Sequence, residues 1–409
     1  MKYLFLIIVL VLTSTASFAQ LQTINVTPSA TDVNINTYTN AAQQEVHICY
    51  YNTAVTSRNE LLVFFPGTGG KPNGNDYFDQ LAANLGYHVI GLMYPNDTAI
   101  GAICQYQNDS VCFEKNRLEI IDGTDRSIYT SVNRANSIEN RLIKCIQYLN
   151  INYPSQNWGQ YLDINDSLIW NKLAFAGHSQ GGGHAALIAK YHDVARVICL
   201  ASPKDYFVSP INMAAKWIDT NHVTSTNRYF SFTHVADQTG CTPAQQQEIF
   251  DLLGMRTIAD SISVDANTPP YNNSRILMTY LAVANGTTIN PHGCVLVDNK
   301  VPDIQTTGTN LYLDAWTYML TANTSTLTSL QNNIINEKIW KIYPNPFSDK
   351  INLTNSTGLE DYFLSNMFGQ LIWTGKHIDQ QNFSNLTNGI YFLKLKRANN
   401  EQTIKMIKQ

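Results

Sequence analysis

A chain of 409 residues with a net charge of −4 has room for one large domain and a small one, and it lacks the cationic surplus that nucleic acid or an anionic membrane surface demands. Charged residues make up only 14% of it, a proportion more typical of exported than of cytosolic proteins. No pair of histidines or cysteines stands at metal-ligand spacing, so neither a metal nor any other cofactor is expected.

Residues 1–19 place Lys2 before the apolar run 4–12 and end in small residues at Ser17 and Ala19, the pattern of a signal peptide cleaved before Gln20. That run is shorter than the roughly 20 residues a bilayer span takes, and no later segment comes closer, so no transmembrane segment is expected in the mature chain. Export would place the seven cysteines in an oxidising compartment. Cys104 and Cys112, eight apart in a polar loop, are expected to pair, whereas Cys49, Cys145 and Cys199 sit in apolar runs and read as buried thiols.

Residues 21–39 are polar and alternating, as in an edge strand. Residues 46–51 and 61–65 are stronger strands, the second a continuous apolar run of the kind buried on both faces, closed by the turn 66–70. A helix over 77–85 stops at Gly86, and a strand over 88–94 stops at Pro95. Residues 96–130 read as a long irregular insertion. Residues 137–149 are an amphipathic helix with Ile138, Leu142, Cys145, Ile146 and Leu149 on one face. A short strand over 173–176 then leads to a helix beginning at Gly183. Further strands are expected over 194–200, 228–235 and 275–282, with a helix capped by Thr242 and started by Pro243, and a closing helix over 311–322. Strands alternating with helices imply an α/β domain over residues 20–322, a mostly parallel sheet with helices on both faces. Residues 323–338, mainly Thr, Ser, Asn and Gln at their start, read as a linker. Residues 339–409, with short alternating strands and turn signals, read as a small C-terminal β-sandwich.

The chemistry concentrates at Gly177-His178-Ser179-Gln180-Gly181, a Gly-x-Ser-x-Gly sequence between the strand and its helix. Strand, tight turn and helix are the context that exposes such a serine, and small residues two positions either side let strand and helix approach. A phosphate-binding loop would end in Lys-Ser/Thr and a dinucleotide fold would read G-x-G-x-x-G; neither is present. Here the chain resembles the α/β-hydrolases. In the order serine, acid, histidine that this resemblance implies, Asp237 follows the strand 228–235 and His292 follows the strand 275–282. Asp205, after the preceding strand, is the rival acid, while Asp298 is too near His292 to be preferred. His178 and His184 flank the serine in its turn and helix, and His234 lies within a strand. Backbone amides of Gln180 and, by the resemblance, Thr68 in the Pro66-Gly67-Thr68 loop would form the oxyanion hole. If Asp237 and His292 meet, Cys241 and Cys294 are brought close, and a Cys241–Cys294 disulfide is expected to clamp the two loops. The insertion is expected to supply a substrate wall, with Tyr94, Tyr106 and Phe113 as candidates.

Tyr343-Pro344-Asn345-Pro346, then Gly389-Ile390-Tyr391, then a basic end at Lys405 and Lys408 resemble the type IX secretion sorting domain. The resemblance implies handling of residues 339–409 by the type IX secretion machinery, with the product secreted or attached to the cell surface. Together these readings describe a secreted serine hydrolase, an esterase or lipase type acting on a small or polymeric carboxylic ester through Ser179, His292 and Asp237. A serine peptidase or acyltransferase on the same fold, or a non-catalytic binding protein, are the alternatives.

Overall fold

The structure, a computed structural model, describes residues 21–36, 46–218, 222–302, 310–324, 341–354, 360–366, 370–397 and 400–409. The expected signal peptide and most of the expected linker lie outside the described residues. The chain divides into two compact units, Met1–Ser325 and Thr326–Gln409.

The first unit is built on one sheet of nine strands: β1 (Leu21–Val26), β2 (His47–Asn52), β3 (Leu61–Phe65), β4 (His88–Gly91), β5 (Leu173–His178), β6 (Arg196–Leu200), β7 (Tyr229–His234), β8 (Ile262–Ser263) and β9 (Ile276–Thr279). Their order across the sheet is β1-β2-β4-β3-β5-β6-β7-β9-β8. All pairs from β4 onward are parallel, and only β1 and β2 run antiparallel to their neighbours. The order reverses between β3, which leads outward to β4, and β5, which leads the other way to β6. Adjacent loops part there and leave a crevice at the carboxyl ends of the two strands.

Strand periodicity explains why both faces are buried. Leu61, Val63 and Phe65 join one core with the helices Cys112–Asp122, Ile138–Asn152, Gln180–Tyr191 and Pro243–Leu252. Leu62 and Phe64 join the other, with the helices Asp76–Asn84 and Leu313–Thr321. Each fully buried Leu, Val or Phe of this kind contributes about 1.5–3 kcal/mol, which is why β3 carries no polar residue. Local signals set the helix starts. Ser137 accepts the Asn140 amide ahead of Ile138–Asn152, and Thr242 forms a capping box with Gln245 ahead of Pro243–Leu252.

The stretch read as irregular insertion is instead partly helical, with Ile100–Cys104 and Cys112–Asp122 joined by the Cys104–Cys112 disulfide. Its helical period is hidden because the buried stripe Phe113, Arg117, Ile120, Ile121 contains a charged residue.

The second unit has a four-stranded antiparallel sheet, Leu371–Gly375, Asp361–Asn366, Gly389–Arg397 and Asn400–Lys408 in that order, and a two-stranded sheet of Lys341–Tyr343 with Asn352–Thr354. Phe347, Ile351, Tyr362, Leu364, Leu393 and Met406 are among the residues of its own core.

Buried histidines make the first unit acid-sensitive. Burial pushes His47 down to about 3 and His88 and His178 to about 4, and holds His184 well below its ordinary value of 6.5. His47 must stay neutral, because its Nδ1 accepts the Met93 amide at 3.0 Å. Since their folded values lie below the unfolded one, the unfolded chain holds more protons as pH falls from about 6.5, and stability drops. Asp79 and Asp298 act oppositely over this window, because burial raises Asp79 well above the usual carboxylate value and Asp298 to about 7. The histidines outnumber them, so thermal unfolding followed at pH 7, 5.5 and 4 is expected to show a falling midpoint, and the fall is expected to be shallower in His47→Gln.

Candidate active site

Ser179 sits at the end of β5, on the turn into the helix Gln180–Tyr191, with φ 53° and ψ −118°. A non-glycine residue in that region is strained, by about 1–3 kcal/mol, and holds only where its surroundings enforce it. The enforcement comes from two glycines. A Cβ on Gly177 would lie 2.3 Å from the carbonyl carbon of Gly181, and one on Gly181 would lie 2.1 Å from the carbonyl oxygen of Phe65. The backbone of β3, the turn and the helix thus touch directly, and the hydroxyl-bearing residue is set at the positive end of a helix of 12 residues.

Asp237 and His292 arrive from the carboxyl ends of β7 and β9. His292 Nδ1 donates to Asp237 Oδ2 at 2.9 Å, which leaves Nε2 as the basic nitrogen. Asp237 is 1% exposed, and burial alone would raise its carboxyl. The hydrogen bond from His292, the Lys204 ammonium at 3.1 Å and the Thr239 amide outweigh that and hold it well below the usual carboxylate range. His178 adds a brace that the sequence reading had not assigned: its Nε2–H donates to the His292 carbonyl at 2.8 Å. Burial and the neighbouring His292 ring keep His178 neutral at ordinary pH.

Asp205, the rival acid, is spoken for. It accepts Arg117 Nε at 2.7 Å and Trp217 Nε1 at 2.9 Å, and its other oxygen pairs with Arg117 Nη2. Arg117 in turn donates to the Gln180 carbonyl at 2.8 Å, so this buried pair props the serine turn from below. Asp298 lies at the start of the helix Asp76–Asn84, where it accepts the Tyr77 amide. His234 is buried, accepts the Ala236 amide and donates to the Leu281 carbonyl. His184 is buried beside the Tyr94 ring.

Ser179, Gln180, Thr68 and His292 line one cavity of about 590 Å³. The Gln180 side-chain carbonyl accepts both Thr68 Oγ1 at 3.0 Å and the Ile100 amide at 2.9 Å, which ties the Gly-rich loop after β3 and the insertion to the residue following the serine. A larger cavity of about 720 Å³, near Asp97, Tyr129 and Asn133, is lined by no histidine.

Two expectations need correction. Cys241 and Cys294 are not bonded; both are buried free thiols. Cys241 packs into the core on one face of the sheet and Cys294 into the core on the other, so nearness along the sequence to Asp237 and His292 does not bring the sulfurs together. The substrate wall is also different. Tyr94 is buried with its hydroxyl on the Pro66 carbonyl, Phe113 is buried against Phe207, and Tyr106 is exposed. The insertion lines the cavity through Ala99, Gly101, Ala102, Gln105 and Arg117 instead. Lys204 and Lys300, also in the lining, had drawn no notice, because a lone lysine in a loop carries no spacing signal.

Among the described residues no group of three or more His, Cys, Asp and Glu is placed to hold a metal, and no helix is long and apolar enough to cross a membrane. No curated protein matches the chain. Residues 341–409 match the family model of the secretion system C-terminal sorting domain. This segment is a type IX secretion sorting domain, which engages the secretion machinery and marks the chain for export to the cell surface or the medium.

Proposed function

We propose that residues 20–322 form a serine hydrolase of the α/β-hydrolase type that cleaves carboxylic esters. The observation that carries this reading is Ser179 in a strained turn at a helix start, sharing a cavity with a histidine whose Nδ1 is held by a buried, ionised aspartate. Ser179 Oγ attacks the ester carbonyl while His292 Nε2 takes its proton, and Asp237 stabilises the imidazolium that results. The amides of Thr68 and Gln180 meet the developing oxyanion, reinforced by the helix start. His292 returns the proton to the leaving alcohol, and the acyl-enzyme is then opened by water activated in the same way.

Labelling with a fluorophosphonate tests the nucleophile: wild type is expected to be labelled and to hydrolyse short p-nitrophenyl esters, and Ser179→Ala to do neither. An unlabelled wild-type protein would overturn the reading. The two acids separate by readout. Asp237→Asn is expected to lower kcat by about 10⁴ with the fold intact. Asp205→Asn leaves Arg117 buried without its anion and is expected to cost about 3–5 kcal/mol in denaturant unfolding, with a much smaller loss of kcat in the fraction that stays folded.

A further inference from the structure

The cavity wall is chemically one-sided. Three cations, Arg117, Lys204 and Lys300, face into its lining against one carboxylate, Asp205. Asp205 is neutralised by Arg117 and Trp217, and Lys204 is spent on Asp237 beneath His292. Lys300 differs from the other two. It is exposed and makes no ion pair among the described residues, and its stem lies over Gly293, where a Cβ would come within 2.3 Å of Lys300 Cδ. Gly293 follows His292 directly, so the free ammonium belongs to the loop that carries the base. Its field reaches the neighbouring imidazole of His178.

The rest of the lining carries no large apolar side chain. Among the described lining residues there is no Leu, Ile, Met, Phe, Tyr or Trp, and the apolar side chains are Ala99, Ala102 and Val297. An anionic group near the scissile carbonyl would find an exposed ammonium that makes no ion pair among the described residues, in a chain whose overall charge of −4 would otherwise repel it.

We infer that the site favours esters that carry a carboxylate within a few atoms of the scissile carbonyl, with Lys300 as the residue that recognises the anion. This rests on the hydrolase reading above and adds the substrate class to it.

The test compares monoethyl succinate with ethyl succinamate, which match in size and differ in charge, by enzyme-dependent release of ethanol from the full chain. The anionic ester is expected to show a kcat/KM about twofold to fivefold higher at low salt, as one exposed ion pair allows. The preference is expected to shrink toward parity in 0.5 M NaCl, where screening acts over about 4 Å. Lys300→Met is expected to abolish the preference and Lys300→Arg to keep it. If a fluorophosphonate labels the wild type and the two esters are cleaved equally, or the neutral one faster, the anion-selective site is overturned while the hydrolase reading stands. If there is neither labelling nor hydrolysis of either ester, both fall.

Discussion

The Phe65 carbonyl and the Gly181 backbone stand so close that no side chain fits between them, and the rest of the site depends on that contact. Because β3 and the helix after β5 touch backbone to backbone, Ser179 is held with a positive φ and cannot relax into an ordinary strand or helix conformation. The same contact sets the Gly-rich loop, which starts one residue after Phe65, directly beside the residue that follows the serine. The Gln180 side chain then bonds to both Thr68 and Ile100. Ser179, the Gly-rich loop and the insertion are therefore spaced by covalent geometry and three short contacts.

A second constraint supports the first from the opposite side. Arg117 and Asp205 are both buried, and burying two charges carries a desolvation cost that their attraction only partly offsets. What the pair contributes is position. Arg117 belongs to the helix Cys112–Asp122 of the insertion, Asp205 to the loop after β6, and the guanidinium also grips the carbonyl of Gln180. The insertion is thus locked to the serine turn at its base, and the buried Cys104–Cys112 bond ties its two helices to each other.

The parallel sheet was legible because buried strands such as 61–65 and 173–176 read as unbroken apolar runs, and the serine turn because its glycines are spaced as the close approach requires. Asp237 and His292 were placed by the order serine, acid, histidine that the α/β-hydrolase resemblance implies, with Asp205 as the rival acid, and the structure brings the first two within hydrogen-bond distance. The expected Cys241–Cys294 bond failed for a reason no spacing rule contains: two residues near one another in two adjacent loops can still face opposite sides of a sheet. The helix Cys112–Asp122 was hidden by its buried arginine. The roles of His178, Lys204 and Lys300 are properties of convergence in space, and a single chain of letters holds no trace of them. In the tail the reverse holds, since Tyr343-Pro344-Asn345-Pro346 and the Gly389-Ile390-Tyr391 strand start are local signals, and residues 341–409 match a sorting domain.

The pairing of β3 with β5 joins residue 61 to residue 173, so it closes a loop of over one hundred residues. Loop closure of that length is paid in chain entropy before any contact repays it, and folds dominated by such pairings form slowly. Thr68, Ser179, Asp237 and His292 lie on four separate segments that meet only when this sheet is complete. A chain caught part-way through folding has the serine and the histidine but not the cavity that brings them together. In an exported protein that carries its own sorting tail, the cluster of Thr68, Ser179, Asp237 and His292 therefore comes into being only together with the final shape.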